Sequence, residues 1–188
     1  FQVNTHTDST QYGTSVTSLA DGGFVVTWES YWQDSDSWGI FGQRHDASGV
    51  AVGDEFQVNT HTDSSQTRPS ITSLEDGGFV VTWTSSHQDG SSGGIFGQRY
   101  DSSGVPAGGE FLVNTHTEST QYGTSVTSLA DGGFVVTWNS YVEDDSTYDI
   151  CGQRYDASGA AVGGEFRVNT YTNDYQLDPS VSSLETVE

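Results

Sequence analysis

The chain has 188 residues, five of them arginine and none lysine, against 26 Asp and Glu, for a formal net charge of −21. Such a surface excludes nucleic acid as a partner, because tracking a phosphate backbone takes Lys and Arg to displace counterions, and it excludes docking on an anionic membrane without bridging cations. No apolar run approaches the roughly 20 residues of a membrane-spanning helix, so direct membrane insertion is not expected, and one cysteine, Cys151, leaves no intrachain disulfide.

The chain opens on Phe1-Gln2-Val3-Asn4-Thr5, which reads as the closing strand of a unit. The run returns at Phe56, Phe111 and Phe166, a period of 55 residues. Opening inside a repeat, on Phe and without a signal peptide, is expected of a piece excised from a longer chain. Next comes Ser15-Val16-Thr17-Ser18-Leu19, a short strand, and Asp21-Gly22, a tight-turn signal. Gly23 to Trp28 is rich in β-branched and aromatic residues and predicts a strong strand. A polar stretch follows, then Ile40-Phe41-Gly42-Gln43-Arg44 as a third strand, an Asp46-Ala47-Ser48-Gly49 turn, and Glu55 to Asn59 as a fourth. No apolar pattern of period 3.6 is present, so no substantial helix is expected.

The chain is therefore one repeat array, 1–188: repeats 1–55, 56–110 and 111–165, and a partial fourth at 166–188. The expected fold is all-β, built of repeated four-stranded antiparallel meanders resembling β-propeller blades, with a β-solenoid or a filament of β-repeats as the alternative. Counting the fragments at both ends, fourteen strands are predicted. Open edges at both ends favour self-association or packing against adjacent repeats of the same protein.

In a meander, alternate loops share one side, so the two long polar loops form the candidate binding face. The first carries Asp34 and Asp36, Asp89, and Asp144, Asp145 and Asp149 in the three repeats. Carboxylates and hydroxyls at alternating positions suit a hard cation, and Ca²⁺ is the expected cofactor. The same loops hold Tyr31, Trp32, Trp38, Tyr141 and Tyr148, whose rings suit the apolar faces of sugars and make a matrix or cell-surface polysaccharide a candidate partner. The second loop repeats His6, His61 and His116, with Tyr171 in the fourth copy, and reads as surface turn; Asn4, Asn59, Asn114 and Asn169 are expected to bond turn backbone.

Arg44, Arg99 and Arg154 each precede an aspartate by two residues, Asp46, Asp101 and Asp156, and a structural ion pair or a fork onto loop carbonyls is expected. Trp28, Trp83 and Trp138 keep the register as structural positions. Gly42, Gly97 and Gly152 are expected where neighbouring backbone comes close. Cys151 occupies the slot of Phe41 and Phe96 and reads as an apolar residue, not a nucleophile. No catalytic motif is present and no concave spot breaks the repeat symmetry, so the chain is not expected to be an enzyme.

The run Gly-Gly-Phe-Val-Val-Thr-Trp, the Gln-Asp loop, Ile-Phe-Gly-Gln-Arg-Tyr-Asp and Val-Asn-Thr resemble the tandem repeats of large secreted bacterial surface proteins, the RTX-associated, type I-secreted calcium-binding adhesins. The resemblance covers the whole chain. It implies an extracellular, cell-surface location, calcium, a non-enzymatic adhesion or matrix role, and no catalytic residues. The glycine-aspartate nonapeptides of the RTX β-roll are missing, so calcium by that route is not expected. A carbohydrate-binding propeller lectin and a self-assembling filament subunit are the alternatives.

Overall fold

In a computed structural model, residues 1–142 and 147–184 are described, Val142 by its backbone alone. Among them lie twelve strands and no helix. Blade 1 comprises β1 (Gln11–Ser18), β2 (Phe24–Tyr31), β3 (Trp38–His45) and β4 (Ala51–Gln57). Blade 2 comprises β5 (Gln66–Ser73), β6 (Phe79–Ser85), β7 (Gly94–Tyr100) and β8 (Phe111–Leu112). Blade 3 comprises β9 (Gln121–Ser128), β10 (Phe134–Val142), β11 (Thr147–Tyr155) and β12 (Ala161–Arg167). Each is a four-stranded antiparallel meander in sequence order, and the three stand as propeller-like blades.

The Asp-Gly turns join first and second strands as their chemistry demands. Gly22 adopts φ +85°, and the Asp21 carboxylate accepts the Gly23 N–H at 2.9 Å. Beyond that turn, Phe24 to Tyr31 pairs residue for residue with Trp38 to His45. The first strand is longer than its apolar run suggests and contains a bulge between Tyr12 and Ser15. The fourth strand is full length in blades 1 and 3 but only two residues in blade 2. There Pro106 replaces Ala51 and has no N–H to give the ladder.

Two of the fourteen predicted strands do not form. Phe1–Asn4 and Pro179–Leu184 join no ladder. In the repeat pattern their partners would be a third strand before and a second strand after, and these 188 residues contain neither. Both segments still lie along a blade. Phe1 packs on Phe24 and His45, with ring centroids 6.3 and 5.4 Å apart, and the Val181 N–H bonds to Ser125 Oγ at 3.2 Å.

First strands of successive blades pack side by side, β1 against β5 and β5 against β9, and so form the inner wall of the array. One apolar core joins Leu19, Val25, Ile40 and Val58 to Ile71, Phe79, Val81, Trp83, Phe96 and Tyr100 between blades 1 and 2. A second, between blades 2 and 3, repeats it with Leu74, Val80, Ile95, Val113, Val126, Phe134, Val136, Trp138 and Tyr155. Every residue of β6 is buried, because blade 2 lies between two others. Trp28, Trp83 and Trp138 are buried at equivalent places, each with its indole N–H unpaired among the described residues.

The arginines tie the third strand of each blade to that blade's first hairpin, though not through the expected carboxylates. Arg44 pairs with Asp21 at 3.3 Å, Arg99 with Asp76 at 3.4 Å, and Arg154 with Asp131. The partner lies in the turn of the neighbouring hairpin, on the adjacent strand pair. Asp46, two residues on, closes its own turn by accepting the N–H groups of Ser48 and Val50 at 2.8 and 2.9 Å; Asp101 and Asp156 do the same. Arg99 also forks onto the carbonyls of Ala157 and Ser158 in the next blade. Its side chain is 14% exposed, against 46% for Arg154.

Gly42, Gly97 and Gly152 answer chiefly to rings; at Gly152 backbone also comes close, the Val136 carbonyl standing 3.3 Å from where a Cβ would be. Each is cross-strand partner to Phe56, Phe111 or Phe166. A Cβ at Gly97 would stand 2.7 Å from Phe111 Cζ. Cys151 packs against the second core, and burial, with Glu165 nearby, pushes its thiol up to about 11. It stays a thiol at neutral pH.

Candidate functional site

The loop carboxylates bind the loops themselves. Asp34 accepts from Gln57 Nε2 at 2.9 Å and from the Asp36 N–H at 3.3 Å. Asp36 accepts from the N–H groups of Ser37 at 2.7 Å and Ser64 at 3.1 Å, tying the two long loops to each other. Asp89 takes the Ser91 N–H at 3.0 Å, and its other oxygen is buried without a partner among the described residues. Asp149 is buried and accepts from Asn169 at 2.8 Å and Arg167 at 3.4 Å. Asp144 and Asp145 lie outside the described residues. Among the described residues no three His, Cys, Asp or Glu side chains converge as they would on a metal.

The asparagines of the second loop span two partners. Asn59 Oδ1 accepts the Ile40 N–H at 2.7 Å while Nδ2 donates to the His61 carbonyl at 2.8 Å, and Asn114 and Asn169 repeat this. His6, His61 and His116 thus belong to a loop set by its backbone.

The aromatic residues come together in two clusters. In blade 1, Tyr31 and Trp38 face each other across β2 and β3 with centroids 4.9 Å apart. Tyr12, from β1, stacks on Trp38 at 5.0 Å and 21°, and Trp32 stands at the edge, 56% exposed. In blade 3, Tyr148 meets Tyr141 at 5.1 Å, Tyr122 at 5.3 Å and Tyr175 at 5.7 Å. Sequence reasoning found Tyr31, Trp32, Trp38, Tyr141 and Tyr148 but missed Tyr12, Tyr122 and Tyr175, which lie on other elements. Blade 2 has Thr67, Ser86 and Gly93 at the corresponding places, so it bears no platform.

Between the clusters, along the inner wall, lies a cavity of about 330 Å³ lined by Gly13, Thr14, Glu29, Arg68, Pro69, Gly123, Thr124, Asp178 and Pro179. Its wall is one position seen four times: 13, 68, 123 and 178 are each 55 residues apart and all left-handed, with φ of 62°, 58°, 68° and 58°. In β1, β5 and β9 this position falls in the strand's bulge, which glycine meets freely at 13 and 123; residue 178 keeps the conformation outside any ladder. Arg68 and Asp178 adopt it at a steric cost. The column from the second strands differs as well: Glu29, Thr84 and Asn139. Each accepts the N–H of the left-handed residue of the next repeat, Glu29 from Arg68 at 2.7 Å, Thr84 from Gly123 at 3.1 Å, and Asn139 from Asp178 at 3.0 Å. One structural bond is thus made by three chemistries. The cavity is concave, polar and unlike in its four repeats. No composition or motif signal marks it; the clue in the sequence is the exchange Gly, Arg, Gly, Asp at one repeat position.

No protein-family model matches this sequence, and no curated protein is similar to it. Solved structures do share the fold. The microbial sialidase Hz136 superposes with a TM-score of 0.62 at 12% identity, over 80% of this chain and 36% of the sialidase. The Bacillus subtilis arabinanase Arb43A matches at 0.55 and 16%, over 92% of this chain and 64% of its own. The endo-arabinase of Bacteroides thetaiotaomicron matches at 0.50 and 15%, over 85% and 62%. This chain therefore spans between about a third and two thirds of the length of these enzymes. The likeness is one of fold. It corrects the expectation that the chain is not an enzyme: enzymes are built on this architecture, and the symmetry-breaking concavity that the repeats seemed to lack is present at the inner wall. The described residues form an all-β array of three propeller-like blades, of the architecture seen in these carbohydrate-active enzymes.

Proposed function

We propose that this chain is a carbohydrate-binding module whose glycan lies across the inner-wall cavity. The observation that carries this reading is the cavity itself: Glu29, Arg68 and Asp178 offer polar groups where the repeats diverge, and an aromatic cluster begins one residue away on either side, at Tyr12 and Tyr122. Sugars need both, rings for their apolar faces and charged or amide groups for their hydroxyls. Fold likeness to a sialidase and to arabinanases supports the ligand class.

A glycan array followed by calorimetric titration tests it. Trp38→Ala and Tyr148→Ala are expected to weaken the best ligand about tenfold or more while leaving the melting temperature within a few degrees. Silence across neutral and acidic glycans overturns the reading. Bound glycans are also assayed for cleavage, because Glu29 and Asp178 are two carboxylates in one cavity, the residue pair that glycoside hydrolysis uses.

The extracellular setting and the adhesion or matrix role implied by the repeat resemblance belong to the same proposal: a surface-displayed module would meet cell-surface or matrix polysaccharide. Calcium belongs to it on the strength of the net charge.

A further inference from the structure

We infer that Arg68 is the anion-reading residue of the cavity and that the carbohydrate it selects is acidic, bearing a sugar carboxylate. The inference rests on the carbohydrate reading above and deepens it. Four of the five arginines are in ion pairs: Arg44 with Asp21, Arg99 with Asp76, Arg154 with Asp131 and Arg167 with Asp149. Arg68 alone, among the described residues, has no carboxylate within reach of its guanidinium, in a chain with 26 Asp and Glu to offer. The nearby carboxylate does not take it. Glu29 accepts the Arg68 backbone N–H instead, at 2.7 Å.

The side chain is nevertheless held. Its guanidinium lies over the Tyr122 ring, 4.9 Å from the centroid. It crosses Gly123, where a Cβ would stand 3.3 Å from Nη1. Glycine at 123 leaves the space that the guanidinium occupies. The backbone argues the same way. Residue 68 is left-handed at φ 58°, a conformation that two of the other three copies fill with glycine. An arginine there strains the fold and makes no ion pair in return. Strain kept without an ion-pair partner points to a ligand. Arg68 is exposed, and its planar fork, stacked on Tyr122, can meet a carboxylate in two parallel hydrogen bonds. A net charge of −21 repels anions at a distance, so an anionic ligand needs a local cation to enter, and Arg68 is the cation lining this cavity.

Matched probes test the inference: oligogalacturonate against its methyl ester, and sialyllactose against lactose, titrated into wild type, Arg68→Gly and Arg68→Lys. Arg68→Gly restores the residue found at 13 and 123 and is expected to fold; Arg68→Lys keeps a charge but removes the fork. Wild type is expected to prefer the acidic member of at least one pair by tenfold or more. Arg68→Gly is expected to bind both members alike, and Arg68→Lys to keep only a fraction of the preference. Equal binding of acid and neutral forms by wild type, or an undiminished preference in either variant, overturns the role of Arg68 and leaves the glycan site standing. No binding of any of the four by wild type, together with a silent array, overturns both.

Discussion

At Gly97 the smallest residue meets one of the largest. The tip of the Phe111 ring stands over the glycine, and the same pair recurs as Gly42 with Phe56 and Gly152 with Phe166. A methyl group at 97 must push the ring out of the sheet edge, a form of overpacking that costs about 1–3 kcal/mol. Urea denaturation of Gly97→Ala is expected to show a loss of that size, whereas Gly109→Ala, facing open space, changes little. A loss no larger than that of Gly109→Ala would contradict the ring contact. At this scale the sequence was only partly legible. It marked Arg44 as a carboxylate partner, but spacing along one strand pointed to Asp46, and the true partner, Asp21, sits on a neighbouring hairpin. Which residues meet across strands depends on register, which a single run of residues does not encode.

The turns between third and fourth strands are closed elements with their own pH response. The Asp46 carboxyl is held below the ordinary carboxylate range, first by the Val50 N–H and then by Ser48. In Asp156 the Ser158 hydroxyl leads, followed by the Ala160 N–H. Asp131, in the hairpin turn of blade 3, is lowered chiefly by the Gly133 N–H, with Arg154 helping. Folding lowers these values, so the stability they bring is present above the unfolded carboxyl value of about 4 and is lost as pH falls through the lower folded values. The melting temperature is expected to fall below about pH 4, and the triple variant Asp46→Asn, Asp131→Asn, Asp156→Asn to fall less over that window. An identical acid response in both would remove the turns as its source. Elements were the most legible level: the hairpins follow from Asp-Gly turns and β-branched runs. Phe1–Asn4 and Pro179–Leu184 were misread because a strand needs a partner, and pattern alone does not supply one.

Across the whole molecule, charge and repetition oppose each other. Two apolar interfaces of one design hold the blades, while a net charge of −21 spreads them. Self-repulsion of this kind is screened by salt. Raising NaCl from about 10 mM to 0.5 M is expected to raise the melting temperature by several degrees. Calcium at matched ionic strength is expected to add to this, and a chelator to remove the addition; equal midpoints in both would leave screening alone and sink the calcium proposal. The site itself was the least legible feature. The sequence showed the aromatic and acidic loops, but the inner wall is assembled from single residues 55 positions apart, and their meeting is visible only once the first strands lie side by side.

The column Glu29, Thr84, Asn139 carries one more consequence. A carboxylate, a hydroxyl and an amide all complete the same bond to the next repeat, so the scaffold asks only for an oxygen there. The position can change its charge, size and hydrogen-bonding outlook without the blades losing their grip. Duplication then copies the frame while leaving a small set of inward residues free to drift apart. A protein built this way can vary its axis one repeat at a time, with the fold held constant underneath.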